Sequence, residues 1–90
     1  AIYNEAFALF RQHTAESYLA ALEKFQQAGR IYEEISMNGN AGASWLYSGI
    51  ITDNLGRKSD AVRFYDQALK FFQEIKNKSW EAATLTNIGK

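Results

Sequence analysis

The sequence predicts an all-α fold, a row of antiparallel helical hairpins, and three observations carry that prediction. The segments 21–35 and 61–75 are versions of one another forty residues apart: Ala21 matches Ala61, Gln27 matches Gln67, Ala28 matches Ala68, Glu34 matches Glu74 and Ile35 matches Ile75. Leu22/Val62, Phe25/Tyr65, Arg30/Lys70 and Tyr32/Phe72 keep chemical type at the same offset. A fixed period of about 20 to 50 residues marks stacked units, none of which can bury its apolar face alone. The chain has no proline and only six glycines, so long helices are unopposed and the glycines punctuate them. Apolar residues recur throughout at three- and four-residue spacing, the period of a helix face.

Taken in order, a first helix is expected over 2–13, with Tyr3, Phe7 and Phe10 on one face and Ala6 and Leu9 beside them. Thr14 reads as the N-cap of a second helix over 15–37, and Glu16 sits near the positive end of its dipole. Leu22, Phe25, Ala28, Tyr32 and Ile35 form the apolar stripe of that helix, Gly29 is a cost of about 1 kcal/mol relative to alanine, and Asn38-Gly39 supplies the left-handed residue that ends it. A turn over Gly39-Asn40-Ala41-Gly42 leads to a third helix over 41–55 that stops at Gly56. Ser59 caps a fourth helix, with Asp60 in its first turn and Ala61, Tyr65, Ala68, Phe72 and Ile75 on its inner stripe; Val62 and Leu69 lie alongside. Asn77-Lys78 closes it, and Ser79 caps a fifth helix beginning at Trp80. Five helices with connections this short must pack antiparallel, without a sheet.

Ninety residues make one small domain, which hides only about 60–65% of the surface exposed when unfolded. Ten basic and ten acidic residues balance, so neither a nucleic-acid backbone nor an anionic membrane is the expected partner. The absence of cysteine rules out disulfides, thiolate nucleophiles and cysteine metal sites, and fits a reducing, cytoplasmic setting. No apolar run reaches the length of about 18 residues that spans a bilayer, and the segment 1–10 carries Glu5 without a basic leader, so a soluble chain is expected. With no initiator methionine and a stop at Gly89-Lys90 inside a periodic segment, the chain reads as a piece of a longer protein. Catalysis is not expected: His13 is the lone histidine and reads as a helix-end residue, Glu33 and Glu34 point to different sides of a helix, and no strand precedes a glycine-rich loop. One histidine cannot hold a metal, and no cofactor is expected. The basic residues are interleaved with acids, Arg57-Lys58 being the densest pair in a solvated turn.

The spacing Trp45, Gly49, Gly56, Ala61, Tyr65 and Ala68 resembles the tetratricopeptide repeat, in which small residues let two helices approach and bulky ones fill the space between them. Forty residues rather than 34 is similar to the longer variety found in kinesin light chain and in bacterial arrays. The segment 81–89 resembles the first helix of a further repeat, with Gly89 forty after Gly49. The chain then divides into a degenerate first hairpin over 1–38, a second repeat over 39–78 and the first helix of a truncated third over 79–90. Departures from the family pattern are Ser48 and Thr52, where leucine and tyrosine are usual, and the lack of a glycine before Ala21.

The resemblance implies a right-handed α-solenoid whose first helices line a concave groove suited to a peptide or partner helix, a non-catalytic scaffold. On the third helix the groove positions are Leu46, Tyr47, Ile50, Asp53 and Asn54; on the fifth they are Thr86, Asn87 and Lys90; on the first, Ala6, Phe7, Phe10 and His13. Asn87 is the polar anchor for a bound backbone. A competing expectation is self-association as a homo-oligomer through the helix over 80–90, whose apolar face has no partner, aided by Phe64 and Phe71. Arrays resembling this one also recruit or sense for an attached effector in larger bacterial proteins.

Overall fold

The computed structural model describes residues 2–88 and contains five helices: α1 (Ile2–Phe10), α2 (Ala15–Glu34), α3 (Asn38–Asn54), α4 (Lys58–Glu74) and α5 (Lys78–Ile88). Each helix packs chiefly on its neighbours in the chain. No strand occurs among the described residues.

Three of the four connections are the same turn, set twenty residues apart. Ser36, Gly56 and Lys76 are left-handed, with φ of 60°, 81° and 57°. At each, the next amide donates back to a carbonyl five residues earlier: Met37 to Tyr32, Arg57 to Thr52 and Asn77 to Phe72. The left-handed residue's own amide reaches Glu33, Asp53 and Gln73 respectively, which satisfies the terminal carbonyls of α2, α3 and α4. The turn inside a hairpin is thus the turn between hairpins, and the forty-residue period is a doubled twenty. The first connection differs. Thr14 is extended and its Oγ1 accepts from the Ser17 amide at 3.0 Å while Ser17 Oγ accepts from the Thr14 amide, a reciprocal cap that fixes the start of α2.

Several expected boundaries move. α1 stops at Phe10, because His13 is left-handed at φ 55° in the link to Thr14. α2 ends at Glu34, not near Met37, and Ser36 rather than Asn38-Gly39 is the left-handed residue. Asn38 opens α3, so residues 39–42 are helix and not a turn. α4 begins at Lys58, with Arg57 and not Ser59 at the cap and no side-chain cap bond. At α5 the cap is the Asn77 side chain, whose Oδ1 accepts from the Trp80 amide at 3.2 Å, in place of Ser79. The shifts after α2, α3 and α4 follow from the tight turn, which needs only one left-handed residue and restarts the next helix immediately.

Two apolar clusters form the interior. Ala6, Ala21, Phe25 and Ile51 join α1, α2 and α3 under a layer of half-buried aromatics, including Tyr3, Phe7, Phe10 and Tyr47. Ala43, Trp45, Leu46, Ala61, Tyr65, Ala68 and Phe72 join α3 to α4. The repeated pairs Ala21/Ala61, Phe25/Tyr65 and Ala28/Ala68 are all buried, so the internal likeness is a likeness of packing. Ile35 and Ile75, the last members of the expected stripes, lie past the helix ends and are exposed.

Gly49 is where helices meet most closely: a Cβ placed there would stand 2.6 Å from the Tyr65 ring. Gly29 likewise admits the Trp45 indole, which would be 2.8 Å from a Cβ, so this glycine offsets its helix penalty by seating α3 on α2. Trp45 stacks on Phe64, with centroids 5.9 Å apart and planes 8° from parallel.

Candidate functional site

Several of the groove positions expected from the sequence are packing residues. Leu46 is only 2% exposed and belongs to the α3–α4 core, which removes it from any binding face. Tyr47 is stacked on Phe25 at 5.5 Å and meets Phe7 edge-on at 4.7 Å, so it cements α3 to α1 and α2. Ala6 is fully buried, and Phe10 is half-buried between Tyr18 and Tyr47. Ile50 is half-buried against the α3–α4 core. Asp53 pairs with Lys58 at 3.5 Å, and Asn54 is exposed at the end of α3. On α5, Thr86 Oγ1 donates to the Ala82 carbonyl and Asn87 Nδ2 to that of Ala83, bonds a helix end makes to itself. His13 bonds the Tyr18 hydroxyl through Nδ1 at 2.8 Å and is exposed. Lys90 and Gly89 lie outside the described residues.

The cavity nearest the expected groove has other walls. A space of about 280 Å³ crosses from α1 to α5, with Tyr3, Phe72 and Trp80 as aromatic walls and Asn40 and Asn77 at its polar edge; Gly39 and Ala43 form its α3 side. Trp80 stacks on Phe72 at 5.4 Å, its ring held flat at 18°. Burial, with smaller contributions from Tyr47 and Tyr32, pushes the Tyr3 hydroxyl up to about 12. The site holds no charged group, so it suits apolar and amide-bearing ligands rather than ions. Sequence reasoning missed it because residues 39–42 were read as a turn. As the first helical residues of α3, they bring Gly39 and Asn40 level with Tyr3 and Trp80.

The buried polar atoms of the core do not form a reaction centre. Ser44, Ser48 and Thr52 donate in turn to the carbonyls of Asn40, Ser44 and Ser48, and Thr84 to that of Trp80. Each hydroxyl is satisfied by its own helix, so Ser48 and Thr52 can replace larger apolar residues on a crowded face. The Tyr65 hydroxyl and Trp45 Nε1 are buried without a partner, and burial, with the Asp53 carboxylate nearby, pushes Tyr65 up to about 12. Among the described residues no three histidine, cysteine or carboxylate side chains are gathered to bind a metal ion, and no helix is long and apolar enough to cross a membrane.

A scan of family models and searches of curated proteins and of solved structures returned no match to this chain.

Proposed function

We propose that the chain is a non-catalytic protein-interaction scaffold, a tetratricopeptide-like array that holds a peptide or partner helix on the side shared by α1, α3 and α5. The observation that carries this reading is the aromatic and amide-lined cavity between Tyr3, Asn40 and Trp80, which joins α1 to α3 and α5 over Phe72 of α4. Aromatic walls supply contact area with little side-chain entropy to lose, and the two asparagines offer both donors and acceptors to a backbone. The partner is a protein segment, not nucleic acid or lipid, in keeping with the neutral charge balance, and we place the chain in the cytoplasm. Selection from a displayed peptide library tests the reading. Binders whose affinity falls about tenfold in Trp80→Ala, with helix content retained, are expected; binders indifferent to Trp80→Ala and Asn40→Ala would move the site elsewhere.

A second reading, self-association through α5, is favoured by Leu85 and Trp80, large apolar side chains of that helix that are 49% and 36% exposed. Phe64 and Phe71 are half-buried against the α3–α4 core and line the clefts beside α4, away from α5. Light scattering over a hundredfold concentration range separates the two: constant monomer mass removes the second reading, and a dimer dispersed by Leu85→Lys favours it.

A further inference from the structure

A cleft runs between α2 and α4, and its two parts share Gln67. One part, about 260 Å³, has Thr52 of α3 in its floor, Leu22 and Gln26 from α2 on one wall, and Phe64 on the other; its charged groups are Arg57, Arg63 and Asp60. The other, about 420 Å³, is flanked by Glu33 of α2 and by Lys70, Phe71 and Glu74 of α4. One end therefore carries two guanidiniums and one carboxylate, the far end two carboxylates and one ammonium. None of these six charges lies within ion-pair distance of an opposite charge among the described residues, whereas Lys24, Lys58 and Lys78 elsewhere are each paired with a carboxylate. Lys70 and Glu74 repeat Arg30 and Glu34 at the forty-residue offset, whereas Arg57, Asp60 and Arg63 stand where Ser17, Ala20 and Glu23 stood, so the basic end is particular to this hairpin.

From Arg57 to Glu74 along α4 is about 25 Å at 1.5 Å per residue. An extended chain covers that length in about eight residues. We infer that the α2–α4 cleft binds a polypeptide segment carrying acidic residues at one end and basic residues at the other, laid along α4 with its acidic end on Arg57 and Arg63. The guanidiniums take carboxylates in two-bond geometry, Gln26 and Gln67 bond the segment's backbone, and Leu22, Phe64 and Phe71 cover its apolar atoms. Asp60 opposes the acidic end and Glu33 with Glu74 attract the basic one, so orientation is set by charge at both ends. The site is separate from the α1–α3–α5 cavity and does not depend on it.

Fluorescence anisotropy on the 90-residue chain tests this with labelled peptides of about eight to ten residues. The probes are a glutamate block joined to a lysine block in either order, the same residues alternated, and an all-glutamate peptide. A block peptide is expected to bind at least about tenfold more tightly than the alternated one, about tenfold more weakly to Arg63→Gln, and about threefold more tightly to Asp60→Asn. Both substituted positions are exposed, and circular dichroism checks that the helices persist. Equal binding of the alternated or all-glutamate peptide, indifference to Arg63→Gln, or no saturable binding would overturn the assignment. A dimer dissociated by Arg63→Gln would give the cleft to a second copy of the chain and overturn it equally.

Discussion

At Gly49 and Gly39 one residue type has opposite consequences. Alanine is the better helix former by about 1 kcal/mol, and both positions are inside α3. A Cβ at Gly39 meets only Ile75 Cδ1 at 3.5 Å, ordinary contact, so Gly39→Ala should raise stability by about 0.5–1 kcal/mol. A Cβ at Gly49 runs into the Tyr65 ring at 2.6 Å, and that ring, 1% exposed, has nowhere to go. Gly49→Ala should therefore lower stability by about 1–3 kcal/mol despite its helix propensity. Urea unfolding of both variants decides it; a Gly49→Ala protein as stable as the parent would mean that α3 and α4 can separate without loss.

Tyr65 itself is not optimal. Its hydroxyl is buried without a hydrogen-bond partner, and leaving such a group unpaired costs about 1–3 kcal/mol. Tyr65→Phe keeps the ring that fills the space opposite Gly49 and removes the orphan oxygen. It is expected to melt at the same temperature or up to about 8 °C higher, on a scale where about 1 kcal/mol moves the midpoint by 4–8 °C in a domain this small. A melting point lowered by several degrees would show that the hydroxyl has found a partner in solution.

At the scale of elements, the three equivalent turns are filled unequally. Gly56 suits its left-handed position, while Ser36 and Lys76 hold the same conformation with a side chain attached. That conformation costs a non-glycine residue about 1–2 kcal/mol, partly offset because glycine also gives the unfolded chain more freedom. Ser36→Gly and Lys76→Gly should each stabilise by about 0.5–1 kcal/mol. Thermal melts of the single and double variants check this, with the two effects expected to add because each acts on its own backbone conformation, which a shortfall in the double variant would contradict.

The same turns explain what was legible in the sequence. The number of helices and the pairing of Phe25 with Tyr65 followed from periodicity, since a buried stripe leaves a repeating pattern. The glycine at 56 gave away one turn, but Ser36 and Lys76 carry no such mark, and Asn38-Gly39 offered a false one. Misplacing that turn by about two residues put Asn40 and Gly39 in a loop and hid the cavity between Tyr3 and Trp80. α3 was the second difficulty. It is buried on nearly every side from Ala41 to Thr52, so it has no polar face from which a groove could be read, and the positions assigned to one, Leu46 and Tyr47 above all, are packing residues.

On the whole-molecule scale the two core clusters each contain a tyrosine whose hydroxyl resists ionisation. Tyr3 touches both clusters from α1, and Tyr65 lies in the one between α3 and α4; both are raised from 10.0 to about 12, chiefly by burial. Between those values the folded chain keeps protons that the unfolded chain releases, so unfolding is favoured as pH rises. Stability should be level through neutral pH, begin to fall above pH 10, and go on falling toward 12. Tyr65→Phe tests this, because it removes one of the two raised phenols and keeps the ring that fills the core. Its urea midpoint should drop less between pH 9 and 11 than that of the parent, while a parallel drop would mean that Tyr65 ionises alike in the folded and unfolded chain and contributes nothing to alkaline unfolding.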